Sequence, residues 1–324
     1  MIDLSIVIAT RDRTHSLAHT LAALTQVDVP GALRAELIIV DNAPSGPGTR
    51  ELVKGWNVPR LETRYILEPA PGVSHARNRA IQEARGRVML WLDDDTRPPR
   101  NWVTGLALPI LEGKAEVLQG GVRIADHLLR PWMNVSIRGL YASTEVFDSP
   151  SLQEETPAGR RLRYLFTCNF AASRSVFDRV PPFDENLGPG RLGYSEDSLM
   201  AHQLIQAGVS IRDGRHIVVE HHFDADRLSH ANCVSMWEKL GRSQAYVDYH
   251  WKHEPSAWAP LLEPLGPALV RGYGVLFPDQ ARRDEGISVV EAILVYAAAY
   301  SKQLALERQR PGRLYDRRGL RRRT

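Results

Sequence analysis

Residues 4 to 95 alternate short apolar runs with longer amphipathic stretches, and this alternation constrains the fold more than any other feature of the chain. LSIVIAT (4–10), AELIIVDNA (35–43), TRYILEP (63–69) and GRVMLWLDDD (86–95) have the length and composition of buried strands. Between them, HSLAHTLAALTQV (15–27), TRELVKGW (49–56) and SHARNRAIQEA (74–84) have helical periodicity. Strands that alternate with helices build a parallel sheet covered on its faces, so the expected fold class is α/β. Such sheets take ligands beyond the carboxyl ends of their strands. Here those ends are TRDR (10–13), DNAPSG (41–46), EPAPG (68–72) and DDDT (93–96), all polar or turn-forming.

Beyond residue 120 the pattern loosens. GGVRIA (120–125), YLFTCNFAASR (164–174) and SIRDGRHIVVEHH (210–222) read as strands, and DSPSLQEETPAGRRL (148–162) as a polar loop. The glycine-rich NLGPGRLGYSED (186–197), read as a mobile segment, leads into a helix that starts at its acidic pair. After about residue 226 the chain reads as helical, clearest in VSMWEKLGRSQAYVDYHW (234–251) and ISVVEAILVYAAAYSKQLALERQ (287–309). In the last segment Glu291 and Lys302 keep the uninterrupted apolar stretch below membrane-spanning length, so core or interfacial packing is expected.

With 324 residues, 43% of them hydrophobic, the chain is long enough for a large core. Two cysteines, Cys168 and Cys233, exclude a disulfide-dense scaffold and suit a reducing cytosolic setting. The start, MIDLSIVIATRDR, reads as a first strand rather than a signal peptide. Arg308 to Thr324 carries eight arginines and one aspartate, or +7, while the other 33 basic and 37 acidic residues leave the body at −4. Nothing in that body suggests a nucleic-acid binder, which would need a basic stripe on the folded surface. The tail reads either as a solvated terminus or as a peripheral contact with anionic lipid at the inner face of the membrane.

The chemistry-bearing residues gather at the strand ends. Three adjacent aspartates, Asp93, Asp94 and Asp95, repel one another unless a cation or solvent compensates them, and hard divalent cations take oxygen ligands of this kind. The competing reading makes them a solvated turn in which Asp95 caps the next helix. Glu196 and Asp197 form a second acidic pair, suited either to a closing loop or to capping a helix start. His216, His221, His222 and His230 cluster in sequence, and on a strand only one of His221 and His222 faces a given site. Arg77, Asn78 and Arg79 open a helix, where phosphate can bind. Trp237, Tyr246, Tyr249, Trp251 and Trp258 fit either a core stripe or an acceptor groove. No GxGxxG follows the first strand and no GxxxxGK[ST] occurs.

Taken in order, SIVIATRDR, ELIIVDNAPSG, GVSHARNRAIQEARGRVMLWLDDD and FDENLGPGRLGYSED resemble the motifs of family-2 glycosyltransferases with the GT-A nucleotide-sugar-binding fold. The likeness covers about residues 3 to 225. It implies a Rossmann-like mixed sheet flanked by helices (1–225), a helical C-terminal region (226–307) as an acceptor or oligomer surface, and the Arg-rich tail (308–324).

The resemblance also implies roles. Thr10, Arg11 and Arg13 would lie beside the nucleotide, Asp41 would take its base or ribose, and Arg77 and Asn78 would lie near the nucleotide or pyrophosphate. Asp93, Asp94 and Asp95 match the DxD signature, with Asp93 and Asp94 on the donor and Asp93 and Asp95 on Mn2+ or Mg2+, and His221 or His222 as a further metal ligand. Asp197 matches the general base, supported by Glu196. The implied reaction is metal-dependent, inverting transfer from a nucleoside-diphosphate sugar, UDP foremost, to a hydroxyl of a glycan, lipid-linked or small-molecule acceptor. No QxxRW motif follows the acidic pair, which argues against a processive synthase. The alternatives are a sugar-nucleotide nucleotidyltransferase, which would want glycines after the first strand, and a nucleotide-sugar-binding protein without catalysis.

Overall fold

The structure is a computed structural model, and it describes residues 2–56, 61–133, 138–142, 152–157, 159–257, 259–281 and 283–323. The chain forms two compact units, Met1–Glu185 with Met200–Phe223 and Asn186–Leu199 with Asp224–Thr324. Trp258 lies outside the described residues, as does part of the 148–162 loop.

The first unit is built on one sheet. Its opening elements are β1 (Ile2–Thr10), α1 (Thr14–Leu24), β2 (Ala35–Asn42), α2 (Gly48–Lys54), β3 (Leu61–Glu68), α3 (Val73–Glu83) and β4 (Gly86–Asp93). There follow β5 (Thr96–Arg97), α4 (Trp102–Leu111), β6 (Val117–Ile124), β7 (Gln153–Glu154), β8 (Arg161–Leu162), β9 (Asn169–Ser173), α5 (Glu196–Gln206) and β10 (Ile211–His221). The spatial order is β3-β2-β1-β4-β9-β6-β10-β8-β7, with β5 paired to β10. The first four strands run parallel. β9 is inserted antiparallel between β4 and β6, so the sheet is mixed.

Why the strand sequences are continuously apolar follows from their position, since both faces of the sheet are covered. Leu4, Ile6 and Ile8 of β1 pack with Leu17 and Leu21 of α1 and with Trp102 and Leu106 of α4. On β4, Trp91 stacks on Phe170 at 5.5 Å and meets Phe183 edge-on at 6.1 Å. The join of β6, β9 and β10 rests on Asn169, fully buried. Its amide donates to the carbonyls of Gly121 (2.7 Å) and Ile217 (3.0 Å) and accepts from the Trp102 indole (2.8 Å). Gly120 lies against this amide, where a Cβ would come within 2.2 Å of Asn169 Nδ2, so no larger residue fits there.

The second unit is helical: α6 (His230–Val247), which runs on into a π-helical turn at Asp248–Lys252, then α7 (Ala259–Leu276) and α8 (Val289–Arg308). Ser229 and Ser288 cap α6 and α8 by accepting from Asn232 N and Glu291 N. α8 is long and apolar enough to cross a membrane by length and composition, with mean hydropathy 1.3 in its best window. Its buried face carries polar residues that are paired: Glu291 with His230 (3.0 Å) and Glu307 with His250 (3.1 Å). Tyr246 and Trp251 sit in a core with Leu187, Leu199, Val247 and Tyr315, so this part of the aromatic stripe is packing.

The Arg-rich tail is folded onto the same unit. Tyr315 is fully buried, Arg318 N donates to Trp251 O (2.7 Å) and the Trp251 indole donates to Gly319 O (3.2 Å). Arg317 and Arg318 pair with Glu254, and Arg323 with Asp316. The stretch is therefore anchored, by one buried tyrosine, while most of its arginines are exposed to solvent.

Candidate active site

At the carboxyl end of β4 the backbone leaves the sheet and the three aspartates take different surroundings. Asp94 and Asp95 are buried and Asp93 is half-exposed. Asp94 Oδ2 accepts from Thr10 Oγ1 (2.6 Å) and its Oδ1 accepts from Arg13 Nη1 (2.6 Å), tying the end of β4 to the end of β1. Its main-chain carbonyl accepts from Thr20 of α1 (2.8 Å). Burial pushes the Asp94 carboxyl up to about 7 against the attraction of Arg13.

Asp95 faces two cationic or donor groups. Its Oδ2 accepts from Arg13 Nη2 (2.7 Å), and its Oδ1 lies 3.4 Å from His221 Nε2. Burial opposes ionisation here, but His221 and then Arg13 overcome it and hold the carboxyl well below the usual range. Asp95 does not cap a helix, since α4 begins only at Trp102. Asp93 lies 3.8 Å from the Arg77 guanidinium, and burial raises its carboxyl against that attraction. One guanidinium, that of Arg13, thus serves two carboxylates, and the pull of those carboxylates outweighs its burial to raise its pKa.

Strand register chooses between the two histidines. β5 pairs antiparallel with β10, setting His221 opposite Thr96 and Glu220 opposite Arg97, and His222 N donates to Asp95 O (2.7 Å). His221 consequently turns toward Asp95, while the His222 ring bonds Glu220 (3.0 Å) and lies 5.4 Å from the His127 ring. His221 Nδ1 sits 2.9 Å from the carbonyl of buried Tyr141. A carbonyl only accepts, so Nδ1 carries a proton, and Nε2 is the ring nitrogen presented to Asp95.

The end of β2 forms a second part of the same rim. Asp41 is fully buried, its Oδ2 accepts from Tyr65 OH (2.9 Å), and burial raises its carboxyl above the ordinary range. Among the described residues its Oδ1 has no hydrogen-bond partner. A buried acceptor left open costs free energy, which a bound N–H or O–H would recover. Arg11 is about half exposed and reaches Asp12 at 3.8 Å. Arg77 is buried and lies over the Phe183 ring at 5.6 Å. The Asn78 amide is fully engaged with one backbone: it donates to Phe183 O (2.9 Å) and accepts from Phe183 N (2.8 Å).

Thr10, Arg13, Asp93, Asp94, Asp95 and His221 are thus gathered at one place, with Arg77 beside Asp93. Glu196 and Asp197 stand at the start of α5, whose first residues, to Leu199, belong to the second unit and whose remainder belongs to the first. Glu196 is buried, and Asp197 Oδ1 accepts from Ser198 N (2.7 Å). The segment before them is a compact hydrogen-bonded turn rather than a loose loop. Gly193 N donates to Gly188 O (3.0 Å), and Gly188, Gly190, Gly193 and Ser195 all adopt positive φ. Sequence reasoning missed Asp12, which takes φ 53° and accepts from both Ser45 N and Ser45 Oγ (2.8 Å each), joining the loops after β1 and β2. It also missed Tyr65 and Tyr141, whose positions on a strand and in a loop carry no local signal. Asp12 had one: an aspartate between two arginines at a strand end is a turn residue that tolerates the left-handed region.

With this geometry in view, the sequence profile of glycosyl transferase family 2 matches residues 5–180, more than half the chain. The chain belongs to that family. It is 32% identical over 113 residues to the succinoglycan biosynthesis protein ExoM of Rhizobium meliloti, 34% of this chain and 36% of that one. It is 24% identical over 120 residues to the glycosyltransferase AglE of Haloferax volcanii, 35% of this chain and 39% of that one. The matches thus span little more than a third of these relatives' length.

Among solved structures, the mannosyltransferase PcManGT from Pyrobaculum calidifontis, in complex with GDP-Man and Mn2+, superposes with TM-score 0.57 at 14% identity. That match covers 92% of this chain and 86% of the other. GalNAc-T7 with UDP, GalNAc and Mn2+ gives 0.54 at 18% identity over 81% and 51%. Both likenesses establish the GT-A fold, a mixed sheet flanked by helices with a helical C-terminal region.

Proposed function

We propose that this family-2 enzyme is a metal-dependent, inverting transferase that moves a sugar from a nucleoside-diphosphate donor to an acceptor hydroxyl, in polysaccharide or glycoconjugate biosynthesis. The observation that carries the reading is the approach of Asp95 Oδ1 and His221 Nε2 to 3.4 Å, a carboxylate and an imidazole nitrogen of the kinds that ligate divalent cations, with a further carboxylate, Asp93, next to them in the triplet. Among the described residues no three acidic, imidazole or thiolate groups stand in finished metal-binding geometry. The donor set nonetheless fits Mn2+ or Mg2+, since carboxylate oxygens and one imidazole suit such ions. Asp93, Asp95 and His221 are the residues that would hold the ion, and Tyr141 O orients the imidazole from behind. When bound, the cation supplies charge neutralisation for the departing diphosphate.

The protein's own groups account for the rest. Thr10 and Arg13 fix Asp94, so the triplet keeps one orientation through the reaction. Arg77, beside Asp93, offers a cation to the pyrophosphate. The open Oδ1 of Asp41 takes an imide or amide N–H of the base, a donor that uracil, thymine and guanine each carry. Asp197 takes the proton of the acceptor hydroxyl as its oxygen bonds to the anomeric carbon. The carbon–oxygen bond to phosphate breaks in the same step, and its electron pair leaves with the nucleoside diphosphate. A single displacement of this kind inverts the anomeric centre. Glu196 supports Asp197 from the same helix start, and Asn78 acts by holding the Phe183 loop under Arg77.

Mutation of Asp197 separates chemistry from binding. Asp197→Asn is expected to leave UDP affinity within about twofold while lowering transfer by roughly 10²–10⁴. Undiminished turnover by this variant would remove Asp197 from the mechanism.

A further inference from the structure

Helices α7 and α8 run antiparallel, and two contacts fix their alignment. Gly266 lies against Ala298, where a Cβ would come within 2.7 Å of the Ala298 Cβ. One end lower, the Tyr273 hydroxyl is 2.6 Å from Ser288 Oγ. The C-terminal half of α7 therefore runs beside the first turns of α8. On α7, Leu265, Leu269 and Leu276 recur at helical spacing and are 55%, 43% and 74% exposed. On α8, Val289, Val290 and Ile293 are 54–57% exposed, on the side away from the buried Ala292 and Val295. With the alignment given, helical geometry sets both stripes on the same side of the hairpin, where they form one patch. Val275 and Phe277 extend it at the hairpin's end.

The patch is large for a lone chain. It offers on the order of 800 Å² of apolar surface, about what each partner brings to an interface of standard size, whereas the largest patch on a typical monomer is about 300–600 Å². The charges flanking it decide the kind of partner. Arg271 and Arg283 stand against Asp279, Asp284 and Glu285, so there is no cationic excess. An anionic lipid surface selects for a basic rim. A rim of both signs instead suits a face that meets its own copy across a two-fold axis, where cation and anion exchange places.

We infer that the exposed face of the α7–α8 hairpin is a homodimer interface, covered by the same face of a second copy. The interface buries the leucine stripe of α7 against apolar surface, and the mixed rim sets its register. Sedimentation equilibrium on the full chain, at low and physiological salt, tests this. The wild type is expected to reach twice the 36.4 kDa chain mass as concentration rises. Leu276→Asp with Ile293→Asp, both at exposed positions, is expected to stay at the chain mass with an unchanged melting temperature. Should that double variant lose its fold, Leu269→Lys alone provides the same readout at one exposed site. A wild type that remains monomeric, or a dimer that persists in the folded variants, overturns the assignment. So does a monomeric wild type that co-sediments with phosphatidylglycerol vesicles and loses this with Leu276→Asp, since a lipid surface would then be the occupant.

Discussion

The two ends of the same sheet both bury carboxylates beside arginines, and they do so to opposite effect. At the amino end of β2, Glu36 is fully buried and both its carboxylate oxygens accept hydrogen bonds. Ser5 Oγ donates at 2.6 Å, Arg85 through its main-chain N (2.8 Å) and its Nε (2.9 Å), and Arg64 at 3.0 Å. Burial opposes its ionisation, yet these donors hold it below the ordinary glutamate value. At the carboxyl end of β4, two of three carboxylates share Arg13 and the third lies beside Arg77, with His221 at the margin. The first cluster is closed and satisfied. The second is left short of positive charge, and a short β5 strand is spent on turning a histidine toward it. A parallel sheet keeps stability at one end and its chemistry at the other, and the donor count around each acid tells them apart.

The largest effect should come from the carboxyl end. Asp93→Asn is expected to reduce transfer by about a hundredfold or more. The melting temperature should hold or rise, because one of three crowded negative charges is removed. A variant that loses its fold instead would make the triplet a structural cluster like the one at Glu36. Next in size, Glu36→Gln should cost about 3 kcal/mol, because Arg64 and Arg85 lose a buried partner. A fall in melting temperature of roughly 6–12 °C would register it, with transfer per folded molecule unchanged.

Acid should read out the same difference. A carboxyl whose folded pKa is depressed contributes stability that is fully present above its unfolded value, near 4.5 for glutamate, and lost as pH falls through the folded one. Urea unfolding of the wild type should therefore weaken below about pH 4.5, and Glu36→Gln should flatten that slope. A slope identical in the two proteins would show that Glu36 is not held below its ordinary value. The smallest change is expected for Asn78→Ala, which leaves the Phe183 backbone pair unsatisfied at a cost of about 1–3 kcal/mol. Transfer should fall only as far as the loop under Arg77 shifts.

The strands β1 to β4 and their helices were legible because their apolar runs are as long as the strands and buried on both faces. Less could be read of the sheet's second half. YLFTCNFAASR gives no sign that only Asn169–Ser173 forms a strand, nor that it runs antiparallel between β4 and β6, because pairing is a tertiary choice. The aspartate triplet announced itself, since repulsion among neighbours is a local fact. Glu36 did not: one acid at the start of an apolar strand looks like a solvated edge until Ser5, Arg64 and Arg85 arrive from elsewhere in the chain. The choice of His221 over His222 likewise depended on register with a two-residue strand. The tail's anchor was not legible because its arginines outweigh one tyrosine in composition, while Tyr315 decides where it packs.

The central claim is that the open end of the sheet takes the donor diphosphate together with a divalent cation held by Asp93, Asp95 and His221. Calorimetric titration of UDP into the wild type and His221→Ala, each with and without Mn2+, tests it directly. The account predicts wild-type affinity that rises at least tenfold with Mn2+, and a gain largely lost in the variant. Equal wild-type affinity with and without the ion would contradict it.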